Sequence, residues 1–313
     1  MRKRPLGKTG LSVSELSLGT WGLCGDGYGP VPETEQDRVI ERAAALGVTL
    51  FETADSYAHG AMERRLGQLL PDSAKARIVT KVGTDLDQAI PKKCFTVSYL
   101  KDALARSRER LKRDVLDVVL LHNPSTVALE RGEATAFLAE EKAAKRVRAW
   151  GVSAGSEAVA REAIARGAEV VSLPFNALAA KDLRELEEEI EREQVGVLAH
   201  SVLAYGLLAG HWGSTKEFSA GDHRSERWTR DELRERLRQL DALRPVVGGN
   251  VMTLRAAALR FVLSHEQVSS TVIGPRSTLQ LDQLVREAGK GPPYLEKTAL
   301  TALEARLEEV GAL

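Results

Sequence analysis

The strongest constraint on the fold is an alternation of short apolar runs with longer helical patterns that repeats eight times along the chain. The apolar runs are nearly continuous, as in Val118–Leu121, whereas the helical stretches are rich in Ala, Leu, Glu and Arg. Strands that are apolar on both faces are typical of a parallel sheet covered by helices. Eight such units predict an α/β fold, a (β/α)8 TIM barrel, which needs roughly 250 residues.

The predicted strands and helices follow one another in strict alternation. The predicted strands are Glu15–Leu18, Val48–Phe51, Arg77–Thr80, Val115–Leu121, Val147–Val152, Glu169–Leu173, Gly196–Ala199 and Ser270–Ile273. The predicted helices are Glu33–Leu46, Ala61–Leu70, Ser98–Lys112, Glu130–Lys145, Ser156–Arg166, Lys181–Glu193, Thr253–Ser264 and Thr278–Ala288. Most of them begin at a helix-start signal, and several end at a glycine.

Two further elements lie outside the eight units. Arg2–Leu6 and Leu11–Val13 flank Gly7-Lys8-Thr9-Gly10, which predicts an N-terminal β-hairpin. Leu295–Val310 predicts an extra C-terminal helix. Because the chain contains no inter-domain linker, we expect residues 1–313 to form a single domain.

The long segment Tyr205–Asn250 separates the seventh predicted strand from the eighth unit. It includes a very polar helix, predicted over Asp231–Leu243. Loops of this length are uncommon in compact domains unless they have a function. The segment is therefore either an external excursion or a flap over the top of the barrel.

The composition excludes several classes of function. Lys+Arg and Asp+Glu number 44 each, so the formal net charge is zero, which argues against nucleic-acid or membrane partners. No apolar stretch approaches the ~18 residues of a membrane-spanning helix. Cys24 and Cys94 show neither a disulfide framework nor a metal-binding spacing. We therefore expect a cytoplasmic protein without a metal.

Polar side chains stand where the predicted strands end. Strand two ends in Glu52 with Tyr57 just beyond it, strand three ends in Lys81, and strand four ends in His122 and Asn123. The C-terminal ends of barrel strands form the active-site face, so these side chains are expected to meet. A carboxylate keeps an ammonium charged, the ammonium lowers the pKa of a phenol, and an imidazole can hydrogen-bond a substrate oxygen. The set predicts proton transfer to a carbonyl.

The motifs around these residues resemble those of the aldo-keto reductase family, and the resemblance covers essentially the whole chain. The matching stretches are Pro5–Ser14, Leu18–Trp21, Thr53–Tyr57, Thr80-Lys81, Leu120–Pro124, Gly151–Ser153, Pro174–Asn176, Gly206–Gly210 and Val272–Ser277. The short chain after Ser277 is similar to the bacterial branches of the family. The resemblance implies a barrel that binds NADP(H), or less favourably NAD(H), and interconverts a small aldehyde or ketone with the alcohol.

The resemblance also implies a role for each residue of the catalytic set. Tyr57 is expected to be the proton donor, Lys81 to lower its pKa, and His122 to orient the carbonyl. Glu52 stands where the family has an aspartate. The extra methylene moves the carboxylate by about a bond length, so we expect a repositioned or weakened set that keeps the charge needed by Lys81.

The resemblance implies a cofactor groove in which several family positions are changed. Ala154 and Ser172 stand where an asparagine and a glutamine usually hold the nicotinamide amide, and Leu284 replaces an asparagine of the adenine site. His200 stands in place of an aromatic ring, whereas Arg276 near the 2′-phosphate position favours NADP(H). The expected cofactor-binding residues are Thr20, Trp21, Ser153, Ser172, His200, Ser201, Leu203, Gly206, Gly274, Arg276, Gln280 and Gln283.

One alternative is a hydrolase. Gly151–Gly155 matches the G-x-S-x-G pattern between a strand and a helix, which would make Ser153 a nucleophile. Such an enzyme would need a later acid and histidine, and it would leave Tyr57, Lys81 and His122 without a role. No oxyanion segment of the HGGG type precedes the motif.

A second alternative is a barrel that has lost redox chemistry and binds a ligand or partner. The departures at Ala154, Ser172 and Leu284 favour it, because each removes a polar contact to the cofactor worth about 1 kcal/mol. The retained Tyr57–Lys81–His122 set argues against it, because a barrel that no longer needed redox chemistry would also have accumulated substitutions at its catalytic residues.

Overall fold

In the computed structural model, which describes residues 1–70, 72 and 75–313, eight parallel strands close into a barrel. The barrel strands are β3 (Leu16–Gly19), β4 (Leu50–Glu52), β5 (Arg77–Val82), β8 (Leu116–His122), β9 (Val147–Ser153), β10 (Val170–Pro174), β11 (Gly196–His200) and β12 (Val268–Ile273). They are neighbours in chain order, and β12 closes the barrel on β3. The predicted (β/α)8 barrel is confirmed, with each strand within about two residues of its predicted limits.

Two antiparallel hairpins accompany the barrel. Strands β1 (Lys3–Pro5) and β2 (Ser12–Ser14) form the predicted N-terminal hairpin. The sequence did not predict the second hairpin, formed by β6 (Thr84–Asp85) and β7 (Lys92–Lys93). It follows β5 directly and therefore lies near the carboxyl end of the barrel.

The helices cover the outside of the barrel. They are Trp21–Cys24, Glu33–Ala45, Ala61–Leu69, Val97–Leu111, Thr126–Glu130, Glu133–Ala143, Glu157–Ala165, Lys181–Arg184, Glu187–Glu193, Arg230–Leu240, Leu254–Leu263, Thr278–Ala288 and Lys297–Glu309. Short 3-10 helices occupy Gly7–Thr9, Tyr57–Gly60, Ala204–Ala209, His223–Glu226 and Asp241–Val246. None of the helices in the described ranges has both the length and the apolar character to cross a lipid bilayer.

Two helix predictions were wrong in the same way. The helix predicted over Glu130–Lys145 is broken at Gly132, whose left-handed φ of 75° cannot continue a right-handed helix. The pattern over Lys181–Glu193 is likewise divided after Arg184. The first break falls at a left-handed glycine, and the second falls at Glu185 and Leu186, where the φ of Leu186 is -105°.

The core has two layers, which explains why the strands are apolar on both faces. Along β8, Val118 and Leu120 belong to a cluster inside the barrel, whereas Val119 and Leu121 pack in the cluster shared with the helices. Leu6 from the N-terminal hairpin belongs to the inner cluster and closes the amino end of the barrel. The polar side chains therefore lie at the other end of the barrel, where the strands have their carboxyl ends.

The first part of the segment Tyr205–Asn250 is a flap, whereas its helix Arg230–Leu240 packs against the C-terminal end of the chain, where Gln239 donates to the carbonyls of Val310 and Gly311, as in an external excursion. The backbone N–H of His223 donates to the carbonyl of Gly27, at 2.9 Å, in the loop after β3. The His223 ring lies 4.7 Å from both Trp21 and Tyr28, measured between ring centroids. These contacts tie the flap to the loop after β3, across the carboxyl end of β12.

Candidate active site

The structure brings together the four side chains that the sequence predicts as a catalytic set. Glu52 ends β4, Lys81 lies in β5, and Tyr57 begins the short helix that follows β4. The Lys81 ammonium donates to the Tyr57 hydroxyl at 2.9 Å and is in direct contact with the Glu52 carboxylate. Its third partner is the carbonyl of Thr53, at 3.3 Å. Lys81 is therefore held between an acceptor carboxylate and the phenol.

Desolvation governs the protonation of this set. It raises the pKa of Tyr57, which is opposite to the lowering by Lys81 that the resemblance implies, and the hydroxyl is protonated at neutral pH, as the proposed proton donation requires. It lowers the pKa of Lys81, and the adjacent Glu52 carboxylate stabilises the charged form that this burial disfavours. The ammonium can then stabilise the phenolate that forms when Tyr57 gives up its proton.

His122 completes the set as a neutral imidazole. Its ring lies 6.1 Å from that of Tyr57, measured between centroids and nearly perpendicular. Burial, followed by the charge of Lys81, holds the pKa of His122 well below its usual value. Its Nδ1 lies 3.5 Å from the Ser56 hydroxyl, which leaves Nε2 without a partner among the described residues. Nε2 can therefore form a hydrogen bond with a ligand oxygen.

The turn that carries Tyr57 is held in an unusual conformation by Asp26. Ala58 and His59 have positive φ values of 47° and 51°, which side-chain-bearing residues rarely adopt. The Asp26 carboxylate accepts from the backbone N–H of Ala58 at 2.8 Å and from the thiol of Cys24 at 3.3 Å. No sequence signal indicated this contact, because it depends on the path of a glycine-rich loop.

A cavity of about 760 Å³ opens beside the catalytic set and extends to the end of β12. Nine of the twelve predicted cofactor-binding residues line it: Trp21, Ser153, His200, Ser201, Leu203, Gly206, Gly274, Arg276 and Gln280. The other three, Thr20, Ser172 and Gln283, do not. The hydroxyls of Thr20 and Ser172 are instead buried, without a partner among the described residues. Leu284 lines the far end of the cavity.

The backbone between β11 and the flap is strained where it borders this cavity. Ser201, Ala204 and Tyr205 have φ values of 56°, 44° and 60°, all in the left-handed region. Gly206 follows with a φ of 101°. Such strain persists only where surrounding contacts maintain it, and it is common at ligand-binding loops.

His200 presents a neutral ring to the cavity. Desolvation, followed by the charge of Lys81, lowers the pKa of His200 to about 3. Its Nδ1 lies 3.0 Å from the Ser201 hydroxyl, which fixes the ring plane. A flat, uncharged imidazole can stack on an aromatic ligand without repelling a positive one.

Four arginines line the cavity, and three of them have firm partners. Arg224 pairs with Asp222 at 2.6 Å, and Arg255 pairs with Glu287 at 2.6 and 2.8 Å. Arg276 donates to three carbonyls of the loop after β3, those of Gly22, Gly29 and Pro30, at 2.8 to 3.2 Å.

Arg227 is the fourth arginine. Its guanidinium carbon lies 3.4 Å from the centre of the Tyr205 ring. Within the described parts of the chain it has no carboxylate partner, so its charge is available to an anion. The sequence did not identify Arg227 or Arg224, because their charged surroundings are typical of a solvated face.

The predicted hydrolase alternative finds no support in the geometry. Ser153 does lie at the end of β9, but its hydroxyl donates to the side-chain oxygen of Asn123 at 3.2 Å. None of the described histidines hydrogen-bonds to Ser153, whereas a nucleophilic serine needs an adjacent base. His200 is instead bonded to Ser201.

Comparisons with known proteins identify the family and agree with the barrel fold. The model of the Aldo/keto reductase family matches residues 15–290. A pyridoxal 4-dehydrogenase from Microbacterium luteolum is 28% identical over 325 aligned positions, which cover 90% of this chain and 92% of that protein.

Solved structures show the same fold. An aldo-keto reductase from Bacillus halodurans, solved in its holo form, superposes with a TM-score of 0.81 at 23% identity, covering 98% of this chain and 96% of the other. A glycerol dehydrogenase from Gluconobacter oxydans gives a TM-score of 0.83 at 22% identity, covering 98% and 95%.

Proposed function

The chain belongs to the aldo/keto reductase family, and we propose that it uses NADP(H) to reduce an aldehyde or ketone, or to oxidise the corresponding alcohol. Aldo/keto reductases are oxidoreductases that act on carbonyl or alcohol groups with nicotinamide cofactors. The observation that carries the proposal is the contact of the Lys81 ammonium with both the Tyr57 hydroxyl and the Glu52 carboxylate. A phenol so placed can protonate a carbonyl oxygen.

The residues of the cavity fit an extended dinucleotide. Its volume of about 760 Å³ lies within the ~300–1,000 Å³ of small-molecule sites, and its two ends reach Tyr57 and Gln280. The strained backbone from Ser201 to Gly206 would bind a pyrophosphate, together with the neighbouring unpaired guanidinium of Arg227. The neutral ring of His200 would hold the nicotinamide, which supplies the hydride when it is bound.

Arg276 supports NADP(H) over NAD(H). Its Nε and Nη2 donate to loop carbonyls, whereas Nη1 has no partner among the described residues. This nitrogen belongs to a guanidinium that lines the far end of the cavity, next to Gln280. A guanidinium with a free N–H pair is well suited to a phosphate group.

In the proposed mechanism the chain's own residues control one proton. Tyr57 gives its hydroxyl proton to the carbonyl oxygen, and Lys81 stabilises the phenolate that remains. Nε2–H of neutral His122 donates a hydrogen bond to the same oxygen as negative charge develops there. Glu52 keeps Lys81 charged despite its burial. For alcohol oxidation the proton moves in the opposite direction.

The aromatic lining of the cavity favours a flat substrate. Trp21, Tyr28 and His223 contribute rings to this lining. The similarity to a pyridoxal 4-dehydrogenase makes aromatic aldehydes the first compounds to test. Aromatic side chains recognise such rings by offset or edge contacts.

Turnover of purified protein with NADPH tests the proposal. Oxidation of NADPH would be followed by absorbance with pyridoxal, with benzaldehydes of graded charge and with aliphatic ketones. We expect turnover with at least one aromatic aldehyde, and loss of that turnover in Tyr57→Phe. Failure of the whole panel, together with no binding of NADPH or NADH, would favour the non-redox barrel instead.

A further inference from the structure

Asn123 and Ser153 are joined by two hydrogen bonds at the carboxyl ends of adjacent strands. The backbone N–H of Asn123 donates to the Ser153 carbonyl at 3.0 Å, and the Ser153 hydroxyl donates to the Asn123 side-chain oxygen at 3.2 Å. The neighbouring residue His122 is paired with Ser153 in the β8–β9 register. Both side chains line the cavity.

The backbone of Asn123 is adapted to this position. Its φ of 51° lies in the left-handed region, which asparagine tolerates better than most other residues with a side chain. The two bonds to Ser153 fix both the backbone and the amide plane. The amide of Asn123 is thus oriented before any ligand arrives.

Once this pair has formed, one donor and one acceptor remain for a ligand. The Asn123 amide nitrogen carries two N–H groups, and neither has a partner among the described residues. The Ser153 oxygen donates its own proton to Asn123 and keeps lone pairs that can accept. A donor next to an acceptor is complementary to a primary carboxamide, which offers a carbonyl oxygen and an N–H beside each other.

Ala154 and Ser172 cannot supply this recognition. Ala154 is buried and apolar, and Ser172 is buried and does not line the cavity. The carboxamide of a nicotinamide ring is attached to the carbon next to the one that carries the hydride. It must therefore lie within a few bond lengths of the catalytic set, and Asn123 directly follows His122.

Resting on the proposed function, we propose that Asn123 is a cofactor-positioning residue that binds the nicotinamide carboxamide together with Ser153. The carboxamide oxygen accepts from the Asn123 amide, and the carboxamide nitrogen donates to the Ser153 hydroxyl oxygen. The asparagine contact missing at Ala154 is thereby supplied from the neighbouring strand.

Binding measurements with two ligands test this role. The ligands are NADPH and 2′-phospho-ADP-ribose, which lacks the nicotinamide ring, and binding is followed by calorimetry. Asn123→Asp keeps the shape but replaces the donor by an acceptor, and Asn123→Gly removes the side chain while tolerating the positive φ. We expect both variants to bind NADPH roughly three- to tenfold more weakly and to bind 2′-phospho-ADP-ribose as the unmodified protein does.

Two further variants complete the design. Ser153→Ala should reproduce the selective loss for NADPH. Thr271→Val removes a hydroxyl that is buried in β12, lacks a partner among the described residues and does not line the cavity, so it should bind both ligands normally.

The possible failures are distinguishable. If the unmodified protein binds neither ligand, the proposed function fails and this inference fails with it. If it binds NADPH and the Asn123 variants bind NADPH equally well, only the inference is overturned. Equal weakening for both ligands would also overturn it, because the carboxamide would then not be the group recognised.

Discussion

The Lys81 ammonium donates a hydrogen bond of 2.9 Å to the hydroxyl oxygen of Tyr57. The two residues are 24 positions apart and come from consecutive units of the barrel. The barrel brings them together because parallel strands end at one face, and Lys81 reaches the turn that begins with Tyr57. The phenol therefore has a fixed positive charge beside it before any substrate binds.

Tyr57→Phe should remove the proton donor without disturbing the cavity. We expect the rate of carbonyl reduction to fall by at least roughly a hundredfold, the lower range for a general acid. The affinity for NADPH should stay within about twofold, since only a hydroxyl is lost. Steady-state kinetics and a binding titration measure the two effects, and an unchanged rate would exclude Tyr57 as the donor.

Glu52→Gln and Glu52→Asp separate the charge of this residue from its length. The glutamine variant leaves Lys81 desolvated without its carboxylate, so less of Lys81 is charged and kcat/KM should fall roughly tenfold or more. The aspartate variant keeps the charge, and we expect similar or higher activity. A complete loss in Glu52→Asp would show that the longer side chain has a role of its own.

Asp55 should make stability depend on pH. Burial, followed by repulsion from Glu63, raises the pKa of Asp55 to about 7. Between about pH 4 and pH 7, Asp55 is therefore protonated in the folded state and ionised in the unfolded state. Because the folded state binds the extra proton, the free energy of unfolding decreases as the pH rises through this range. Between about pH 5 and pH 8, Asp55→Asn should gain on the order of 2 kcal/mol in unfolding free energy relative to the unmodified protein.

Denaturant unfolding of both proteins at the two pH values gives this difference. Asp114→Asn, at an exposed carboxylate, controls for the loss of one acidic group. A difference between Asp55→Asn and the unmodified protein that does not change with pH would contradict the expectation.

Arg276→Met tests the preference for NADP(H). We expect NADPH to bind about tenfold more weakly and NADH to be affected much less, because only NADPH carries the 2′-phosphate. Arg286→Met, at an exposed position of the helix Thr278–Ala288 that follows Arg276, is the matched control. If both cofactors weakened equally, Arg276 would serve only to hold the carbonyls of Gly22, Gly29 and Pro30.

The fold was predictable because the two-layer core leaves a direct trace in the sequence. Val118 is apolar because it packs inside the barrel, and Val119 is apolar because it packs under the helices. The break at Gly132 was missed because it depends on the left-handed backbone of one residue between two stretches that favour helix.

The proximity of Glu52, Tyr57, Lys81 and His122 was predictable because the carboxyl ends of parallel barrel strands meet at one face. Asp26 and Arg227 were not, since each acts across loops whose paths are decided by tertiary contacts. Asn123 was visible as a polar residue after His122, but its bond to Ser153 depends on the β8–β9 register and on a left-handed backbone. Sequence patterns do not encode either property.

A titration of the unmodified protein with NADPH and then NADH, followed by tryptophan fluorescence, tests most directly whether the cavity binds a nicotinamide dinucleotide. Trp21 lines the cavity and should report binding. We expect saturable binding of NADPH in the micromolar range and weaker binding of NADH. Failure of both cofactors to bind would contradict the proposed NADP(H)-dependent activity.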